Sequence, residues 1–200
     1  MTTVPKSIEQ GRGGERMPLP PLETLDAAQR AAAQALIDGP RKAVFGPFVP
    51  LLRTPALLER VAQLGEALRF GGSLDARLRE LAICAAARHV GNQFEWVMHQ
   101  PLAVAAGVDA EALEAIRQGA RPERLADDER AIHDFSVELL EGHGVSDPTY
   151  RRALTALGEA GVVELTTLVG YFVMVSWLMN VARTPSRPTA TVVPLANTPI

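Results

Sequence analysis

The sequence predicts an all-α protein of about eight helices. Three observations carry that reading. Apolar residues recur at helical rather than alternating spacing through the middle of the chain. Cap and stop residues punctuate that region at regular intervals. No alternating strand pattern of useful length occurs anywhere. With 200 residues and 47% apolar composition, one domain with a proper core is expected.

The first element runs from Asp26 to Ile37, alanine-rich and stopped by Gly39-Pro40. The apolar loop Phe-Gly-Pro-Phe-Val-Pro that follows is expected to pack down rather than extend into solvent. Thr54-Pro55 supplies an N-cap and first-turn pair for a helix reaching Arg69, closed by Gly71-Gly72. Ser73 or Asp75 opens the next, to about His89. Gly91 breaks it, and Asn92 caps another that runs to Ala106 and Gly107, with Pro101 expected to kink it just after His99. Asp109 opens a short helix to Gln118; Asp127 or Asp128 opens one to Glu141; Asp147-Pro148 opens one to Leu157. The last, 161–182, is nearly all apolar.

That last segment is long enough to be weighed as a membrane span, which takes about 20 apolar residues. Thr166, Thr167 and Ser176 dilute it, so a buried core or interface helix is the expectation, with no membrane partner. Residues 1–21 read as a mobile tail, 22–183 as the single domain, and the Pro-rich stretch 184–200 as a second tail or an arm lying on a partner. The net charge of −3 and the lack of a basic block argue against a nucleic-acid partner. The lone Cys84 excludes an intrachain disulfide and any Cys-x-x-Cys motif. A cytoplasmic location fits that cysteine use and the lack of an apolar signal stretch near the N-terminus.

Function concentrates in a few polar residues on otherwise apolar helices. Glu80 has Ile83, Cys84 and Ala87 as its helical neighbours, so it is expected to be partly buried, which suits proton transfer. A structural pair with Arg77 or Arg88 is the competing reading. Leu74, Leu78, Leu81, Ala82, Ala85 and His89 form the apolar stripe of the same helix. On the next helix, Asn92, Glu95, Trp96, His99, Leu102, Ala103 and Ala106 share a face. Its polar groups sit at the helix N-terminus, where a substrate carboxylate is favoured. Glu95 and His99, four residues apart, are within hydrogen-bonding reach. Asn92 as a mere cap and Trp96 as core filler are the plainer alternatives. His133 and His143 stand among charges and read as solvated. Glu80, Glu95 and His99 could be imagined around a metal, but no ligand motif of the H-E-x-x-H kind exists, so no metal and no cofactor are expected.

The run R-L-R-E-L-A-I-C-A-A-A-R-H-V-G-N-Q-F-E-W-V-M-H, with a downstream L-G-E-A-G-V-V-E-L-T-T-L-V-G-Y-F-V-M-V-S-W-L-M-N, resembles the carboxymuconolactone decarboxylase family, which includes the alkyl hydroperoxidase D-like (AhpD-like) proteins. The resemblance covers about residues 40–183. It implies an AhpD-like helical bundle that assembles into homo-oligomers, a dimer, trimer or hexamer. In the hydroperoxidase branch a glutamate lies on one helix, a Cys-x-x-Cys pair opens the next, and a histidine follows one turn on. Glu80 and His99 match the glutamate and histidine, while the cysteine positions hold Asn92 and Glu95. Thiol peroxidase chemistry needs a thiolate, which neither supplies. The decarboxylase branch needs neither cysteine nor cofactor. There the resemblance implies acid–base chemistry on a small organic acid or lactone, with His99, Glu80 and Glu95 catalytic and Asn92 and Trp96 binding substrate. An AhpD-like antioxidant protein and a non-catalytic oligomeric ligand-binding protein are the rival readings.

Overall fold

The computed structural model describes residues 14–186 and 191–196. Among these it is all-helical, with eight α-helices and no strand. The chain divides into two compact units.

One unit comprises residues up to Gly71 together with Trp177–Pro185. Here α1 (Ala27–Asp38) starts with a capping box: Asp26 accepts from the Gln29 amide at 2.8 Å, and Gln29 accepts from the Asp26 amide at 3.0 Å. The apolar loop does pack down; four of its residues or their successors, Phe48–Leu51, form the short helix α2 and are buried. The Arg41 guanidinium covers the Phe48 ring at 4.4 Å. In α3 (Pro55–Glu66) Pro55 takes the first-turn position, but Thr54 does not cap; its hydroxyl donates to the Leu51 carbonyl at 3.4 Å. A wider π turn, Ala67–Gly71, ends this helix.

The N-terminal stretch expected as a tail lies outside the described residues up to position 13. From Arg16 it is tied down: the Arg16 amide donates to the Ala182 carbonyl at 2.8 Å, and Arg53 holds the Pro18 carbonyl at 2.9 Å. Backbone satisfied by a helix C-terminus and a guanidinium has no reason to detach.

The other unit comprises 72–176 and the C-terminal residues from 186. Its centre is α4 (Ala76–His89), which packs against α5 (Gln93–Ala105), α7 (Asp127–Gly142) and α6 (Ala110–Gln118). Asp75 caps α4 through the Arg77 amide, and Glu164 holds its approach by accepting from Ser73 N at 2.8 Å, Ser73 Oγ at 2.7 Å and Leu74 N at 3.2 Å. Leu81 through Ala87 are buried without a break, because helices cover α4 on several sides. Truncating Leu81 there would cost about 2–5 kcal/mol. His89, expected on the apolar stripe, is exposed, because it borders an open cavity among α4, α6 and α7 rather than a packed helix face. Leu102 is likewise 40% exposed, while its neighbour Ala103 is fully buried. α5 continues through Pro101 to Ala105.

The final helix, α8 (Asp147–Ala182), is interrupted at Gly158, whose φ of 69° and ψ of 177° only glycine adopts freely. This is the expected boundary between the 147–157 and 161–182 segments. By length and composition α8 could cross a membrane, yet half of its most apolar stretch is buried within the fold, as in a core helix. The C-terminal arm was expected to lie free or on a partner. Its described part, 191–196, lies on its own chain: Gln93 exchanges hydrogen bonds with the Leu195 backbone at 3.0 and 3.2 Å, and Arg117 donates to the Pro194 carbonyl at 2.9 Å.

Candidate functional site

The polar residues singled out in the sequence come together where α4 meets α5. Glu80 projects from the middle of α4 and is 4% exposed; Glu95 and His99, from the first turns of α5, are 4% and 3% exposed. His99 Nδ1 lies 2.6 Å from Glu80 Oε2, and its Nε2 lies 3.2 Å from Glu95 Oε2. The imidazole is therefore clamped between two carboxylates. The edge of Phe172 meets the ring at 5.0 Å and 83°, and Tyr171 abuts Phe172 in turn.

A proton count follows from this geometry. A neutral imidazole has one N–H and can donate to only one partner; two carboxylates can only accept. Both contacts are satisfied together only if one more proton resides on the ring or on a carboxyl. Burial is the largest single influence on His99 and pulls its pKa down. The hydrogen bonds and negative charges of Glu80 and Glu95 together outweigh it, so the pKa ends above the ordinary histidine value. Of the two seats, the raised His99 pKa favours the ring.

Cations and caps fix the frame. Arg79 Nε stands 3.6 Å from Glu80 Oε1. The sequence reading looked to Arg77 or Arg88 for this partner. Arg77 instead pairs with Asp128 and Glu129 at 2.6 and 2.8 Å, which raises its own pKa further. Asn92 caps α5 by accepting from the Glu95 amide at 2.8 Å, and its Nδ2 donates to the Ser176 carbonyl at 3.1 Å. It thus sets where Glu95 starts, with both ends of its amide engaged. Trp96 is 1% exposed within the apolar cluster of Leu81, Cys84, Val97 and Leu113, and its indole N–H donates to the Val193 carbonyl at 3.0 Å. Its surroundings are core residues and the C-terminal segment.

Cys84 lies one turn beyond Glu80, fully buried; burial and then the charge of Glu80 push its thiol pKa well up. Among the described residues no group of three or more His, Cys, Asp or Glu side chains is arranged to hold a metal ion. Sequence reasoning missed one participant and misjudged the burial of a histidine elsewhere. Arg79 adjoins Glu80 in sequence and gave no separate signal. His133, read as solvated, is 6% exposed, because Ile132, Phe135 and Ser136 around it turn inward.

Comparisons with known proteins bear on family and fold. The carboxymuconolactone decarboxylase family model matches residues 55–131, a span that contains Glu80, Glu95 and His99. No curated protein sequence matches the chain. Among solved structures, an AhpD-core, peroxidase-related protein from Ralstonia eutropha JMP134 superposes with a TM-score of 0.69 at 17% identity, covering 88% of this chain and 93% of its own. An Agrobacterium tumefaciens protein of unknown function, described as an AhpD-type antioxidant-defence protein, gives 0.60 at 13% identity, covering 70% and 96%. The debrominase Bmp8, solved as a cysteine-to-alanine variant with 2,3,4-tribromopyrrole, gives 0.66 at 10% identity, covering 86% and 91%. At such identities these likenesses concern the fold. Together they show that the chain has an AhpD-like fold, with a stretch, residues 55–131, that is similar to the carboxymuconolactone decarboxylase family.

Proposed function

We propose that this protein is a cofactor-independent acid–base enzyme, a decarboxylase-like lyase acting on a small organic acid or lactone. One observation carries the reading: a buried imidazole held at 2.6 and 3.2 Å between Glu80 and Glu95. His99 is the proton donor and acceptor. Glu80 holds its Nδ1 side and fixes ring orientation, and Glu95 takes or returns the second proton. Loss of carbon dioxide leaves a carbanion that must be protonated, and an imidazolium next to it is suited to that step. Asn92 positions Glu95, and Trp96 supports the wall behind it. Because His99 is 3% exposed, substrate contact requires a side chain to move, and Phe172, edge-on to the ring, is assigned that motion. A fold neighbour holding a brominated pyrrole supports a ligand of single-ring size.

Hydroperoxidase chemistry is disfavoured. Positions 92 and 95 carry no thiol, and the buried Cys84 is held protonated. We further infer a cytoplasmic protein that forms a homo-oligomer, the latter supported by the exposed Val163 and Met174 along α8, at 67% and 42%. The test is turnover on a panel of carboxylated lactones and keto acids, followed by carbon dioxide release. His99→Ala should lower kcat by about 10²–10⁴-fold. Full turnover in His99→Ala overturns these roles. Saturable binding of an acid with no turnover across the panel would favour the ligand-binding alternative.

A further inference from the structure

A cavity of about 1080 Å³ lies among α4, α6, α7 and the start of α8, and none of Glu80, Asn92, Glu95, Trp96 or His99 lines it. Its volume is in the range of small-molecule sites. Apolar side chains such as Ile116 and Val137 form part of the wall. Four arginines line it against three carboxylates, and most of these charges are already committed. Asp134 is held by Arg121 at 2.9 Å and faces Arg152 at 3.6 Å. Glu138 accepts from the Ser146 amide at 2.6 Å, and Arg130 donates to the Leu125 carbonyl at 2.9 Å. Glu141 is exposed at the end of α7.

Arg88 is the exception. It makes no hydrogen bond or ion pair among the described residues, and its Nε is buried without a partner. The fold has made room for it: a Cβ on Gly119 would stand 2.5 Å from Arg88 Nη2. A second polar side chain on the same wall is also unsatisfied. His133 is 6% exposed, its Nδ1 has no hydrogen-bond partner, and the nearest carboxylate oxygen, on Asp134, is 3.8 Å away. Buried polar groups left without a partner destabilise a fold unless a ligand satisfies them. A guanidinium kept free in a part-apolar cavity is the recognition element for a carboxylate or phosphate.

We propose that this cavity binds an organic anion, a carboxylate or phosphate head on a compact apolar body, with Arg88 gripping the head and His133 lining its seat. The proposal stands independently of the acid–base chemistry at His99. The experiment titrates the full chain with 1-naphthoate, 1-naphthyl phosphate and the uncharged 1-naphthalenemethanol, by calorimetry and by histidine imidazole NMR. At least one anion should bind saturably and at least tenfold tighter than the alcohol, shifting the His133 resonances and leaving those of His99 in place. The tighter anion identifies the head group. Arg88→Gln should weaken it at least tenfold, and Arg88→Lys less. Equal binding of the alcohol, no saturable binding of either anion, unchanged affinity in Arg88→Gln, or a shift confined to His99 would each overturn the proposal. The anion-to-alcohol ratio and the His133 shift are read on the unaltered protein, so they decide the matter even if Arg88→Gln folds poorly.

Discussion

Replacing Glu80 by Gln keeps the shape of the side chain and removes its charge. In the folded protein Glu80 Oε2 sits 2.6 Å from His99 Nδ1, both 3–4% exposed. A hydrogen bond to a charged group contributes about 1.5–3 kcal/mol net, and breaking a buried pair outright costs about 3–5 kcal/mol. Gln can still accept from Nδ1–H, so the loss belongs near the lower range, about 2–3 kcal/mol. In a chain of this size each kcal/mol lowers Tm by roughly 2–4 °C, which makes the change readily measurable. Its pH dependence is more telling. The folded His99 pKa is raised above the unfolded value. The stabilisation is thus fully present below the unfolded histidine pKa, about 6.5, and is lost as pH rises through the folded pKa. Urea denaturation of both proteins at several pH values is the assay. The difference should be largest near the lower end of this window and shrink as the pH is raised through the folded His99 pKa. A pH-independent difference, or one that grows with alkalinity, would refute the charge assignment.

Trp96→Phe removes the bond to the Val193 carbonyl at little cost in volume, and should speed proteolysis around residues 191–196 severalfold. Cys84→Ser buries a hydroxyl where a thiol sat fully enclosed, so stability should fall by about 1–3 kcal/mol with no appearance or loss of peroxidase activity; thiol titration of the native protein should be slow. Val163→Lys combined with Met174→Lys places charge on the exposed apolar side of α8 and should shift light-scattering mass toward 21.5 kDa. An unchanged oligomer mass would remove α8 from the contact.

Much of this architecture was legible because local chemistry agreed with the fold. Asp26, Asp75, Asn92 and Asp109 all accept from the helix amides they precede. The Glu95–His99 contact follows from spacing within one helix. The Glu80–His99 contact does not: the residues are 19 apart on two helices, and only the family resemblance placed them in one frame. Where neighbours in space outvoted neighbours in sequence, the reading failed. His89 ended the apolar stripe yet borders an open cavity, and His133 sat among charges in sequence yet faced inward. The C-terminal arm carried no periodic signal, since its hold on α5 runs through backbone carbonyls that accept from Trp96 and Gln93.

The central claim is that His99 is an imidazolium shared by two carboxylates, and nitrogen-15 NMR of its ring at neutral pH tests it most directly. Both Nδ1 and Nε2 should appear protonated, with the ring titrating above the ordinary histidine range. A single protonated nitrogen at neutral pH, with titration at or below that range, would contradict it.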